Sequence, residues 1–254
     1  MISALFSVEG RVVHVSGGSR GIGLAIARAF AESGARVVVS ARTEDTLKAT
    51  GLEYEVCDVT SAEAVDQAVE RILRRHGRVD VLFNVAGINF RHGAETYPVD
   101  RFDEIMAVNV RGNYLMARAC GRVMVEHRRG KIVNIASLHT TQSLPGVSAY
   151  GTSKGAIGSM TRALAVEWAP YNVQVNAIAP GFIVTDLNRK LWENADLRGW
   201  VHGRTAAGRL GVPEDLVGAA VFLASAASDF VTGVVLNVDG GYNAGSPWPL
   251  EFPR

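Results

Sequence analysis

Cysteine is scarce in this 254-residue chain: Cys57 and Cys120 are the only two, with no CxxC pair and no His/Cys cluster at ligand spacing. That pattern excludes a disulfide framework and argues against a structural zinc site. It fits two buried thiols in a reducing compartment. A surplus of one charge is also missing. Twenty-six basic against 25 acidic residues leave a formal net charge of +1, and a protein that tracks a nucleic-acid backbone would show a basic excess. The most apolar window, Leu216 to Ala227, is too short to span a bilayer. Met1–Arg11 has no basic segment ahead of an apolar one, so no signal peptide is expected and a cytoplasmic protein is. No low-complexity tract, solenoid-length repeat or linker divides the chain, which reads as one domain over 1–254.

What is present is a regular alternation. Hydrophobic residues make up 48% and charged residues 20% of the chain, the profile of an ordinary globular protein. Short β-branched runs predict strands at Val12–Ser16, Arg36–Ser40, Glu53–Val59, Val79–Val85, Lys131–Ala136, Val173–Ile178 and Val234–Val238. Between them, helical periodicity covers Gly21–Ser33, Ser61–His76, Phe102–His127, Ala149–Trp168 and Pro213–Ser225, with room for a short helix in Thr43–Thr50. Near-continuous Val/Ile strands imply burial on both faces, hence a parallel sheet. The expected fold is α/β: a doubly wound, seven-stranded Rossmann-type sheet with helices on both faces. Residues 182–212 are polar and weakly periodic and predict the one long irregular connection, a place where function is expected. The tail Ser246–Arg254, with three prolines, predicts an extended segment.

The first strand runs into a glycine-rich turn that opens a helix. Gly17, Gly21 and Gly23, with Ser19, Arg20 and Ile22 between them, give G-x-x-x-G-x-G. Glycines there let a pyrophosphate approach the backbone, where free N–H groups and the helix dipole hold its charge. Further along stand Asn84-Val-Ala-Gly87 after the fourth strand, Asn109 in the long helix, and Ser137 at the end of the fifth strand. Tyr150 and Lys154 then form Y-x-x-x-K, and Pro180-Gly181 follows the sixth strand. Taken together over essentially the whole chain, these motifs resemble the short-chain dehydrogenase/reductase family, with Val85 where the family usually has a second asparagine.

Tyr150 and Lys154 are four apart and share a helix face. An ammonium beside a phenol favours the phenolate, which predicts a proton donor and acceptor working at roughly pH 7 to 9. Ser137 is placed to hydrogen-bond the reacting oxygen. The resemblance implies that Asn109 bends its helix and holds a water linking Lys154 to solvent. It also implies that Asp58 and Val59 bind adenine, and that Asn84, Ala86 and Gly87 pass the adenosine ribose. Pro180, Gly181 and Ile183 would then line the nicotinamide, and Thr185 would reach its amide or the pyrophosphate.

The second strand ends Ser40-Ala41-Arg42 with no acid to bind a ribose 2′-hydroxyl. Arg20 and Arg42 flanking that position, with Ser40 as a further donor, favour NADP over NAD; Glu44 is the nearby residue that would favour NAD. Substrate contacts are expected from Asn89, Arg91, Tyr97, Leu138, His139, Gln142 and Phe182, and Trp192 and Trp200 suit a lid or a subunit contact. The polar set Arg91, His139 and Gln142 predicts a small polar ketone or secondary alcohol of the sugar-acid or polyol type. Motif by motif, the chain most resembles the family's gluconate 5-dehydrogenases. Two other readings stay open: a 3-oxoacyl carrier-protein reductase, whose docking patch would be the basic run Arg122, His127, Arg128 and Arg129, and a non-catalytic NAD(P)-binding regulator on the same fold. Small residues Ala117, Ala119, Gly155, Ser159 and Ala163 on the two long helices permit close approach; the family resemblance implies that these helices pair, with Gly233–Tyr242 and the tail as a second surface, into a homotetramer.

Overall fold

The computed structural model describes residues 2–186 and 188–245. After a four-residue helix α1 (Ile2–Leu5), the chain alternates. β1 (Val12–Ser16) leads to α2 (Gly21–Glu32), β2 (Arg36–Ala41) to α3 (Glu44–Lys48), and β3 (Glu53–Val56) to α4 (Ala62–His76). β4 (Val81–Asn84) is followed by α5 (Val99–Ile105), a π-helical segment (Met106–Gly112) and α6 (Asn113–Glu126). β5 (Gly130–Ile135), α7 (Ser148–Trp168), β6 (Val173–Pro180), α8 (Ala195–Arg204), α9 (Val217–Ala224) and β7 (Val235–Val238) complete the order. The seven strands form one sheet, ordered β3-β2-β1-β4-β5-β6-β7 and parallel throughout. Strand order reverses direction between β1 and β4, the crevice where parallel sheets of this kind bind ligands.

Alternation within the strands sends side chains into two cores. Val12, Val38, Leu82 and Ile132 face α4 and α6 through Val65, Ile72, Met116 and Met124. Val13, Val39, Phe83 and Val133 face α2 and α9 through Ile26, Phe30 and Leu223. Phe30 and Phe83 meet edge to face at 5.1 Å, and each fully buried ring of this kind contributes about 1.5–3 kcal/mol. Helix ends are set locally. The Ser61 hydroxyl accepts from Ala64 N at 3.2 Å to cap α4, and Gly77, at φ +74°, closes it behind Arg74, Arg75 and His76.

Three sequence expectations need revision. The single helix over Phe102–His127 is two helices joined through seven residues of π-helix centred on Asn109, a winding that concentrates at functional sites. Segment 182–212 is not irregular: it holds a 3₁₀ turn at Arg189–Glu193 and the ten-residue α8. Its two ends are clamped, Val184 N donating to Gly211 O and Gly211 N to Phe182 O, each at 2.9 Å. Ala117 and Ala119 are buried inside the protomer, so they offer no contact surface. What α5, α6 and α7 do expose are the apolar side chains Val99, Phe102, Tyr114 and Val166. The expected tail Ser246–Arg254 lies outside the described residues. Among the described residues no helix is long and apolar enough to cross a membrane.

Candidate active site

A single cleft runs along the C-terminal edge of the sheet. Its walls include the glycine turn, the tip of β2, the segments after β3, β4 and β5, the start of α7, and the 180–192 segment. At the turn, Gly17 has φ +74° and a Cβ there would lie 2.7 Å from Ala86 N; a Cβ on Gly23 would collide with Gly17 O. Gly17 N and Gly18 N donate to Ser40 O at 2.8 and 3.2 Å, which ties the turn to β2. Ser19, Arg20, Gly21 and Ile22 line the cleft where α2 begins. The cradle that only glycine fits, at a helix N-terminus, suits a pyrophosphate. Thr185 packs by Gly21, with Cγ2 3.4 Å from where a Cβ would stand. Asn188 accepts from Thr185 N and donates to Ile183 O, both at 2.8 Å, so it holds that strap. The sequence reading missed Asn188; its place three residues after Thr185, a side-chain-to-backbone turn spacing, is the signal that points to it.

At the β2 tip, Arg42 and Arg20 both line the cleft and are exposed, with no ion-pair partner among the described residues. Ser40 lines the cleft as well, with its buried hydroxyl 2.9 Å from His14 Nε2. Glu44 is also engaged, salt-bridged to Lys48 at 3.2 Å and accepting from Tyr54 OH at 3.0 Å. Asp58 and Val59 line the cleft beside Cys57. One Asp58 oxygen accepts from Thr60 N at 2.9 Å and from its hydroxyl at 2.8 Å. Burial pushes the Cys57 thiol up to about 11, leaving it unreactive.

Ala86 and Gly87 line the cleft; Asn84 does not. Its amide is buried and donates to Asn113 O at 3.1 Å and to Asn134 Oδ1 at 3.0 Å, and Asn134 donates on to Thr161 Oγ1 at 2.9 Å. Asn84 thus anchors β4 to its neighbours below the site. The Asn109 amide is spent in a related way. Its Oδ1 accepts from Ile88 N at 2.8 Å, and its Nδ2 donates to Ile88 O at 2.9 Å and Ser153 Oγ at 3.0 Å. The π-helical winding sets that side chain between the loop after β4 and helix α7.

Ser137, Tyr150 and Lys154 come together at the centre of the cleft. Ser137 is extended and caps the turn after β5, its Oγ accepting from His139 N at 3.2 Å. Lys154 Nζ donates to Ile135 O at 2.7 Å and sits 5.6 Å from the Tyr150 ring centroid. Burial pushes the Lys154 ammonium down to about 8. Burial also holds the Tyr150 phenol above its ordinary value, against the opposing pull of Ser137 and Arg91. Burial thus favours the protonated phenol, opposing the lowering expected from the ammonium.

On the substrate side, Asn89, Arg91, Leu138, His139, Phe182 and Trp192 line the cleft, with Pro180, Gly181 and Ile183 beside them. Gln142 does not: its contribution is its main-chain oxygen, 3.3 Å from His139 Nδ1. Tyr97 is likewise turned away, donating to Phe90 O at 3.1 Å. Phe182 stands edge to face with Trp192, Trp200 and Tyr242 at 5.7, 6.1 and 5.2 Å, so the two tryptophans pack within the protomer over one end of the cleft. Among the described residues no cluster of His, Cys, Asp or Glu could hold a metal ion.

A parallel sheet carrying a pyrophosphate cradle and a buried Tyr–Lys pair on one edge is the framework of a dinucleotide-dependent oxidoreductase. A family model described as enoyl-(acyl carrier protein) reductase matches residues 17–243. Gluconate 5-dehydrogenase of Gluconobacter oxydans (strain 621H) is 41% identical over 246 residues, 93% of this chain and 96% of that protein. 5-keto-D-gluconate 5-reductase of Escherichia coli (strain K12) is 38% identical over 93% of this chain and 97% of its own. A crystal structure of a gluconate 5-dehydrogenase from Burkholderia cenocepacia J2315, in complex with NADP and tartrate, matches with a TM-score of 0.92 and 37% identity. It covers 96% of this chain and 100% of that one. The chain belongs to the short-chain dehydrogenase/reductase family and is an NAD(P)-dependent oxidoreductase.

Proposed function

We propose that the protein interconverts a small sugar-acid ketone and its secondary alcohol with NADP(H), through Asn109, Ser137, Tyr150 and Lys154. The observation that carries this reading is the exposed Arg91 guanidinium, close enough to bear on both Tyr150 and His139, at the end of the cleft where the acid and the serine converge. A planar, permanently charged fork there fits a carboxylate. The relatives named for gluconate and keto-gluconate chemistry, and the NADP- and tartrate-bound homologue, agree with it.

The bound nicotinamide supplies the hydride. The chain supplies the proton and the position. Tyr150, kept protonated by burial, gives its proton to the ketone oxygen as negative charge builds there. Ser137, with one lone pair taken by His139 N, directs its own hydrogen at the same oxygen. Lys154, fixed on Ile135 O, places a positive charge behind the phenol and restores its proton. Asn109 is a positioning residue that pins Ile88 and Ser153 around this group.

NADP is favoured over NAD because Arg20 and Arg42 face the cleft unpaired while Glu44 is held by Lys48 and Tyr54. An acyl-carrier partner is disfavoured by where the basic run lies. His127, Arg128 and Arg129 immediately precede β5, one strand length from the cleft at its far end, roughly 20 Å for six residues. Arg128 there donates to Pro170 O at 2.8 Å. A regulator without turnover has no need of a buried Tyr–Lys pair beside a serine. The exposed apolar side chains on α5, α6 and α7, with the groove between Met106, Val110, Tyr114 and Met160, support a homotetramer, and the protein is read as cytoplasmic. The test is a panel of sugar acids, polyols and acyl thioesters assayed with NADPH and NADH. Preference for NADPH with 5-keto-D-gluconate or a similar sugar acid is expected. Turnover confined to thioesters, or to NADH, would overturn the reading.

A further inference from the structure

We infer that His139 accepts a hydrogen bond from a substrate hydroxyl, and that the protein thereby selects ketones bearing a hydroxyl on a carbon beside the reacting one. The inference rests on the sugar-acid reading above. It starts from one hydrogen bond: His139 Nδ1 lies 3.3 Å from the main-chain oxygen of Gln142. A carbonyl only accepts, so Nδ1 carries the hydrogen. Burial, with the Arg91 guanidinium nearby, lowers the ring's affinity for a second proton. The ring is therefore a neutral Nδ1–H imidazole, and Nε2 presents a bare lone pair. No protein group among the described residues bonds Nε2, and the side chain lines the cleft.

The neighbours make that lone pair selective. The His139 ring stands edge on to Tyr150 at 5.8 Å, and the residue's main-chain N–H donates to Ser137 Oγ. It is therefore fixed next to the two groups that take the reacting oxygen. Tyr150, Ser137 and Arg91 all have hydrogens to give; a ketone oxygen and a carboxylate satisfy them. Of the side chains beside Tyr150 and Ser137, His139 Nε2 is the fixed, half-buried one that asks for a hydrogen, and neither a carbonyl nor a carboxylate has one. A hydroxyl one carbon from the ketone does. A methylene in its place leaves Nε2 half-buried without a partner, a loss of about tenfold or more in kcat/KM.

The experiment uses NADPH with 5-keto-D-gluconate and with its two analogues lacking the hydroxyl on one or the other carbon beside the ketone. In the wild type, one analogue is expected to lose tenfold or more. His139→Phe should erase that difference between substrates, and His139→Gln, which keeps an acceptor, should restore part of it. Equal turnover of all three compounds by the wild type, or a deficit unchanged in His139→Phe, overturns the inference while leaving the sugar-acid reading intact. Failure of the parent compound to react overturns both. A readout independent of turnover is the long-range proton–nitrogen correlation spectrum of histidine-labelled wild type: His139 must appear with Nδ1 protonated and Nε2 bare, and the opposite tautomer refutes the assignment.

Discussion

Acid should destabilise this protein through one histidine that never touches the cleft. His14 is fully buried in β1; its nearest polar neighbours are the Ser40 hydroxyl at 2.9 Å and the Cys120 sulfur at 4.0 Å. Neither carries a charge that would welcome an imidazolium, and burial pushes the ring from 6.5 down to about 4. The folded chain keeps His14 neutral, while the unfolded chain takes up a proton as pH falls through about 6.5. The contribution is thus complete above that value and is lost between there and pH 4. Each pH unit in the window is worth about 1.4 kcal/mol, so roughly 2 kcal/mol is gone by about pH 5. Against a typical net stability of about 5–15 kcal/mol that is a large share. His14→Gln keeps a polar partner for Ser40 and removes the titration. Urea unfolding of both proteins without cofactor, from about pH 7.5 to about pH 5, should show the wild type losing roughly 2 kcal/mol more than the variant. Parallel curves would refute the account, because other acid-labile groups are common to both proteins.

Three further outcomes are expected. Tyr150→Phe should lower turnover by at least ~100-fold with cofactor affinity retained, as read by steady-state kinetics beside a direct binding titration; near-normal turnover would end the proposed acid role. Arg42→Ala should weaken NADP(H) by about 1.5–3 kcal/mol, the range for charged hydrogen bonds, and leave NAD(H) unchanged, whereas equal losses on both would remove the 2′-phosphate contact. Light scattering at micromolar concentration should give four copies, and a polar substitution in the exposed groove, Tyr114→Glu, should lower that number; a wild-type monomer would contradict the assembly.

The sheet and the chemistry were both legible in sequence, because each depends on spacing. Valine runs set the strands, and four-residue separation puts Tyr150 and Lys154 on one helix face. What spacing does not carry is where a side chain turns. Ser40 lines the cleft, yet its hydroxyl is hydrogen-bonded with the buried His14. Asn84 belongs to a family motif, yet its amide braces Asn113 and Asn134. Gln142 acts through its backbone, which any residue there would provide. Helix α8 escaped notice because its apolar positions are few, and the π-helical segment because Met106–Gly112 has the composition of an ordinary helix.

The reversal of strand order between β1 and β4 also bears on how such a protein can change over generations. Arg20 and Arg42, proposed to read the far end of the cofactor, hang from β1 and β2 on one side of that line. Arg91, Ser137 and His139, proposed to meet the substrate, hang from β4 and β5 on the other. The glycine cradle in the middle is indifferent to both. A few substitutions at the β2 tip can therefore exchange one nicotinamide currency for the other without disturbing the reaction, and changes after β4 and β5 can redirect the reaction at constant cofactor. The two choices are inherited as separate characters, so each should be selectable in the laboratory with the other held fixed.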